Sequence, residues 1–227
     1  MKYLIIGLGS FGASLAIKLT ELGNEVIGVD ANMAKVDALK EKISHTIFLD
    51  ATDQYTMGGL PLKNTDVAIV AIGEDQGSNI IVTALLKNYG VKRLISRALN
   101  PLHEKVLHAL GVDEIVHPEE ETAERWAKKL SLQGVVDSFK LDRNYSIIEA
   151  DVPVDYLGRT IGEINFREKH NILILTVIKK KAEKGLLSHT KTVSRVEGVA
   201  TPEMVLEKSD ILVLFGSNID IQSFLST

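Results

Sequence analysis

The chain has 227 residues, 45% of them apolar and 25% charged, with a formal net charge of −4 and no cysteine. That length suits one domain of ordinary size plus a smaller one, since single domains run about 100–200 residues, and the composition is that of a folded globular protein. It excludes disulfides, thiolate metal sites and cysteine nucleophiles, and the mild acidity speaks against a nucleic-acid binder, whose phosphate contacts need a concentrated basic face.

Short runs rich in Ile and Val alternate with segments of helical period, the pattern of βαβ units on a parallel sheet. Residues 2–6 are predicted to form a buried strand. Phe11, Leu15, Leu19 and Leu22 then recur at steps of four, four and three, an apolar stripe along a helix that Gly23-Asn24 ends. A second strand over 25–29 leads to Asp30, a polar helix covers 33–42, and a third strand covers 46–49. Strands at 66–71, 93–96 and 114–116 follow, separated by helices over 78–89 and 101–110, the latter opened by Pro101, which suits a first helical turn. Six strands with alternating helices predict a Rossmann-like, doubly wound α/β sheet. One more helix is expected over 120–132. After Gln133-Gly134 the texture changes: strands at 146–151, 172–178 and 210–215 are separated by polar loops rather than regular helices. The expected division is a Rossmann-like domain over 1–134 and a smaller α+β domain over 135–227. The polar stretch 179–198, with Lys179-Lys180-Lys181, reads as a protruding solvated hairpin. No apolar run reaches the roughly 20 residues that cross a bilayer, and residues 1–9 lack the features of a cleavable signal. A cytoplasmic chain with no direct membrane insertion is expected.

The turn Gly7-Leu8-Gly9-Ser10-Phe11-Gly12 follows a strand and opens a helix, the context in which a three-glycine pattern binds phosphate. Gly7 permits the tight turn, Gly9 lets a pyrophosphate approach the backbone, and Gly12 lets helix and strand pack closely. Free amides and the positive end of the helix dipole stabilise the anion with no lysine required. Asp30, eighteen residues beyond Gly12, is placed to accept hydrogen bonds from ribose hydroxyls, and its charge would repel the 2′-phosphate of NADP. Which nucleotide binds stays open, because NAD, ATP and ADP share adenine, ribose and phosphates.

Little else points to turnover. None of the five tyrosines is followed four positions later by lysine, so the Tyr-Lys pair of short-chain reductases is missing. His103 and His108 lie five apart, off one helical face, and are expected at the surface or at helix ends; His45, His170 and His189 are isolated. A small NAD-dependent oxidoreductase is the alternative reading, and a binding protein without catalysis the preferred one.

Further residues resemble a known family over nearly the whole chain. Gly7 to Gly12 with Asp30, Leu49-Asp50-Ala51-Thr52, Val70-Ala71-Ile72-Gly73, Ser96-Arg97-Ala98, Leu110-Gly111-Val112-Asp113 and Ile115-Val116-His117-Pro118-Glu119 resemble the TrkA/KtrA-type regulators of potassium conductance, the RCK domain proteins. Downstream, the stretches 155–161, 171–174 and 209–212 resemble the small C-terminal RCK domain. The resemblance implies an adenine nucleotide, NAD(H), ATP, ADP or AMP, held by Gly7, Gly9, Ser10, Phe11, Gly12 and Asp30. Asp50 and Ala51 would border the adenine on one side, and Ile72 and Gly73 on the other. Arg97, at a strand end, is placed to reach phosphate, or else is spent in a surface ion pair. Glu119 matches a position that helps bind a divalent cation, Mg2+ or Ca2+, in some relatives; a hard cation there needs further oxygens from phosphates or a neighbouring subunit. Ser10 stands where some ATP-responsive relatives carry arginine, which removes a partner for a γ-phosphate. Some relatives bind cyclic di-AMP between paired C-terminal domains, near the region of Arg167 and His170, but the stretch 180–198 is expanded here. The resemblance also implies dimers that assemble into a homo-oligomeric ring docked on a TrkH/KtrB-type membrane potassium translocator. The helix after Glu119 would be the crossover between neighbours, with Trp126, Ala123 and Leu130 read equally as core or as interface.

Overall fold

The structure is a computed structural model that describes residues 1–132, 134–184 and 190–226. These residues divide into two compact units, Met1–Glu119 and Glu120–Thr227.

The first unit alternates strand and helix: β1 (Lys2–Ile6), α1 (Ser10–Glu21), β2 (Glu25–Asp30), α2 (Met33–Leu39), β3 (His45–Phe48), α3 (Gln54–Met57), β4 (Val67–Val70), α4 (Gln76–Asn88), β5 (Leu94–Arg97), α5 (Pro101–Ala109) and β6 (Glu114–Val116). The strands make one parallel sheet in the order β3-β2-β1-β4-β5-β6, the doubly wound order. Side chains of a strand alternate between faces, and here both faces are covered. Leu4 and Ile6 of β1 enter a cluster with Ile27, Val29, Ala68 and Leu86, whereas Ile5 enters a second cluster with Ala16, Val26, Val36 and Ile69. All three β1 side chains are therefore excluded from water, which is why this strand reads as a continuous apolar run.

Side-chain caps set the helix starts. Asn32 accepts from the amides of Ala34 and Lys35, Asp53 from Tyr55, Asp75 from Gly77, and Asn100 from His103. Helix α3 was not expected; at four residues it is too short to show a period. His103 lies in the first turn of α5, at a helix end as expected, but not at the surface. It is fully buried one turn before Leu107, which is also buried, so the two occupy the inward stripe of α5. Its Nδ1 accepts from the Leu99 amide at 3.3 Å, and its Nε2 has no hydrogen-bond partner among the described residues.

The second unit comprises most of α6 (Pro118–Ser131), then β7 (Val135–Lys140), β8 (Tyr145–Asp151), α7 (Ile161–Ile164), α8 (Phe166–His170), β9 (Leu173–Lys184), β10 (Thr190–Val196), β11 (Ile211–Ser217) and α9 (Asn218–Leu225). The strands form an antiparallel sheet in the order β10-β9-β11-β8-β7. Ile148, Ala150, Leu212 and Leu214 turn one face toward Tyr156, Ile164, Phe166, Ile221 and Phe224, making one core. The class is α+β, as expected, but the polar loops anticipated between the strands contain the short helices α7 and α8 and the strand β10, while β7 precedes the first expected strand and α9 follows the last. A capping box at Thr160 and Glu163 starts α7, and Asn165 at φ +53° ends it in the left-handed conformation that asparagine tolerates. The two arms of the expected hairpin pair in register from Thr190 opposite Lys184 to Val196 opposite Ile178; its tip, 185–189, with His189, lies outside the described residues.

Candidate functional site

In an open parallel sheet the crevice lies at the carboxyl ends of the strands, where neighbouring strands lead their connections to opposite faces. Here β1 and β4 are those neighbours. A cavity of about 380 Å³ opens there, and every strand of the sheet sends residues from its carboxyl end into the lining: Gly7 and Gly9 after β1, Asp30 ending β2, Asp50 after β3, Ile72 after β4, Arg97 ending β5 and Glu119 after β6. Ser10, Phe11, Ala51 and Gly73 also line it.

The glycine turn is built by close approach. Gly7 sits at φ +97°, and a Cβ there would meet the Ile72 amide nitrogen at 2.9 Å. A Cβ on Gly12 would stand 1.9 Å from the Gly7 carbonyl oxygen and 3.0 Å from the Ala71 Cβ, so Gly12 is packing rather than lining. Gly9 differs. It caps α1 in an extended conformation, and a Cβ added to it would meet nothing within 4 Å. The Gly7 amide donates to Val29 O at 2.8 Å, the Leu8 amide to Asp30 Oδ2 at 2.7 Å, and the Ala13 amide to Gly9 O at 2.9 Å. Between them, the amides of Gly9, Ser10, Phe11 and Gly12 find no acceptor among the described residues. Neither a side-chain cap nor an acidic residue in the first turn neutralises this helix start. It presents bare N–H groups and the positive end of the dipole to the cavity.

Asp30 is held from both sides. Its Oδ2 accepts from Leu8, and its Oδ1 accepts from the Asn32 amide at 2.8 Å. Each carboxylate oxygen keeps a second lone pair for a hydroxyl. Asp50 accepts from the hydroxyl of Thr52 at 2.7 Å and from its amide at 3.0 Å, and these two donors hold its carboxyl below the usual range. Asn79 joins the exits of β4 and β5. It is fully buried, and its Nδ2 donates to Ile72 O at 3.0 Å and to Arg97 O at 3.2 Å, while Ser96 Oγ donates to its Oδ1 at 3.1 Å.

Arg97 lies against Gly73. A Cβ at Gly73 would fall 2.1 Å from Arg97 Nη1, so any side chain there would push the guanidinium aside. The guanidinium donates to Glu119 Oε1 at 2.5 Å, and its Nε is buried without a partner among the described residues. The ion pair, the alternative expectation for Arg97, is therefore present, and it ties together two of the expected site residues. Among the described residues, no three His, Cys, Asp or Glu side chains gather as a metal site. The Glu119 carboxylate is paired with Arg97.

Sequence reasoning did not single out Lys35, Glu74, Asp75 or Ser78, all of which line the cavity. Lys35 Nζ pairs with Glu74 Oε1 at 3.1 Å. The hydroxyl of Ser78 and the amide of Gly77 donate to Asp75 and hold its carboxyl low. The signals in the sequence were the two helix caps, Asn32 three residues before Lys35 and Asp75 three residues before Ser78. Arg167 and His170 belong to the second unit, where His170 Nε2 shares a 2.9 Å hydrogen bond with the Tyr156 hydroxyl. Trp126 is half exposed, with Lys129 Nζ 5.0 Å from its ring centre. Among the described residues no helix is long and apolar enough to cross a membrane.

The profile of the TrkA-N domain matches residues 3–118. Over 223 residues the chain is 34% identical to the Ktr system potassium uptake protein C of Bacillus subtilis (strain 168), and 31% identical to the Ktr system potassium uptake protein A of the same organism. Each alignment covers 98% of this chain and 95% of the relative. Among solved structures, the GsuK channel bound to NAD superposes with a TM-score of 0.63 at 19% identity, over 98% of this chain and 38% of that one. The GsuK RCK domain superposes with a TM-score of 0.64 at 20% identity, over 100% of this chain and 48% of that one. At such identities the likeness to GsuK is one of fold, and this chain spans less than half of either solved chain. The profile match across the whole parallel sheet and the nearly full-length similarity to the Ktr proteins together place this chain in the TrkA-N domain family.

Proposed function

We propose that this protein is a nucleotide-sensing regulatory subunit of a Trk/Ktr-type potassium uptake system, and that it acts by binding rather than by catalysis. The observation that carries the reading is the conjunction, in one cavity, of the unpaired amides at the start of α1 with the Asp30 carboxylate at the end of β2. Amides suit phosphates, and a carboxylate suits the two hydroxyls of a ribose. Asp50 and Ala51 on one side, with Ile72 and Gly73 on the other, make the walls for an adenine. The names of the Ktr relatives and the NAD-bound state of GsuK support an adenine nucleotide and a potassium pathway.

The mechanism needs no covalent step. In a ring of paired subunits docked on the cytoplasmic face of a TrkH/KtrB-type translocator, nucleotide shifts the ring toward whichever shape binds it better. The shift equals the difference in binding free energy between the shapes. This chain's residues bind and orient the ligand; the translocator conducts.

Calorimetric titration of the full chain with NAD+, NADH, AMP, ADP and ATP tests the site. Asp30→Asn keeps an acceptor for the Leu8 amide but loses the charge that grips the ribose, and every ligand should weaken about tenfold, the loss of a charge-assisted hydrogen bond. Unchanged affinities in the variant would show that the ribose lies elsewhere. Potassium flux through a co-reconstituted translocator should respond to nucleotide only when this subunit is present; hydride transfer to a carbonyl compound would overturn the non-catalytic reading.

A further inference from the structure

The cradle at the start of α1 is electrically modest: four amides and the end of a twelve-residue helix, with no basic side chain in its first turn. The walls are acidic. Asp30, Asp50, Glu74, Asp75 and Glu119 line the cavity, against only Lys35 and Arg97. Both cations are already charge-paired within the chain, Lys35 with Glu74 at 3.1 Å and Arg97 with Glu119 at 2.5 Å. Asp50 and Asp75 are each fixed by hydroxyl and amide donors that stabilise the ionised form. Two phosphates suit the bare amides. Any further phosphate brings more negative charge into a lining with a carboxylate excess, and it finds no free cation among the described lining residues.

We propose that the cavity selects its nucleotide by charge, taking adenosine diphosphate or a dinucleotide in preference to adenosine triphosphate, with the Lys35–Glu74 and Arg97–Glu119 ion pairs as the selecting elements. This rests on the nucleotide-binding reading above and deepens it. A third phosphate must compete with Glu74 for Lys35 or with Glu119 for Arg97, and whichever carboxylate shares its cation then faces the ligand with part of its charge uncompensated. The two pairs differ in setting. The Lys35 side chain is 32% exposed and Glu74 is 84% exposed, so that pair opens readily. The Arg97 side chain is 16% exposed and wedged over Gly73, so its withdrawal from Glu119 is the costlier event.

The test titrates the full chain with ADP, NAD+ and ATP in EDTA, at low and at high sodium chloride. ATP should bind about tenfold more weakly than ADP at low salt, and the gap should narrow as salt screens the lining. Glu74→Gln and Glu119→Gln replace exposed carboxylates with shapes of the same size, so folding is unaffected and the cations are released. Each should raise the affinity for ATP relative to that for ADP and NAD+ about fivefold. ATP binding as tightly as ADP in the unaltered chain, a gap indifferent to salt, or glutamine variants that shift all three ligands equally would each overturn charge selection while leaving the nucleotide site standing. Failure of all three to bind would overturn the nucleotide reading together with this inference.

Discussion

Gly9 and Gly12 lie three residues apart on one turn, and the structure gives them opposite tasks that alanine separates. A methyl on Gly12 would sit 1.9 Å from the Gly7 carbonyl oxygen and 3.0 Å from the Ala71 Cβ. Neither neighbour is a flexible side-chain end, so the start of α1 must move off β1 and β4. Overpacking a tight core costs about 1–3 kcal/mol, and a clash with backbone belongs at the upper end, about 3 kcal/mol and a fall of roughly 10 °C in the melting temperature. A methyl on Gly9 meets nothing within 4 Å, and the residue's φ of −68° is open to any L-amino acid. Gly9→Ala should therefore change stability by no more than about 0.5 kcal/mol. Its methyl points into the space that the proposed diphosphate needs, and nucleotide affinity should fall by about tenfold or more. Urea unfolding and calorimetry on the two variants give the four numbers required. A Gly9→Ala protein that loses several kcal/mol, or that binds nucleotide normally, would refute the assignment of open space beside Gly9 to phosphate. A Gly12→Ala protein as stable as the parent would refute the packing argument.

Two more predictions concern stability. Burial pushes the His103 imidazole below its usual pKa; the unfolded chain binds a proton near pH 6.5 and the folded chain does so only at lower pH, so stability is present above about 6.5 and is lost as pH falls below it. His103→Gln should flatten that part of the stability profile for the first unit, read by thermal unfolding between pH 7.5 and 5.5, and an unchanged slope would show that another group is responsible. In the second unit, Asp210 is fully buried and accepts from Lys179 Nζ at 2.6 Å and from the Glu207 amide at 2.8 Å. Asp210→Ala should cost about 2 kcal/mol, because it takes the acceptor from the Glu207 amide and leaves Lys179 Nζ with only Val205 O at 3.1 Å and the exposed Glu207 carboxylate at 3.4 Å, whereas the joint change Lys179→Met with Asp210→Leu should recover part of that loss, since apolar replacement of a buried pair is often tolerated.

The first unit was legible because its strands are covered on both faces. Residues such as Leu4, Ile5 and Ile6 then form unbroken apolar runs, and its longer helices carry stripes and side-chain caps that can be read one residue at a time. The second unit was less so. Strands β7 and β10 lie at the two edges of their sheet, where Val135–Lys140 and Thr190–Val196 mix charged and apolar residues. Helices α7 and α8, of four and five residues, are too short to establish a period. Their existence depends on Ile164 and Phe166 finding a core assembled from strands far away in the chain.

The glycine turn, its helix and the acid at the end of β2 were determined by local chemistry: conformational freedom at Gly7, close approach at Gly12 and a strand ending at Asp30 are properties of a few neighbouring residues. What the cavity does with charge was decided only by folding. Lys35 and Glu74 are 39 positions apart, and Arg97 and Glu119 are 22 apart. Strand order alone brings each cation to its carboxylate, and a salt bridge depends on distance in space, which no local spacing encodes.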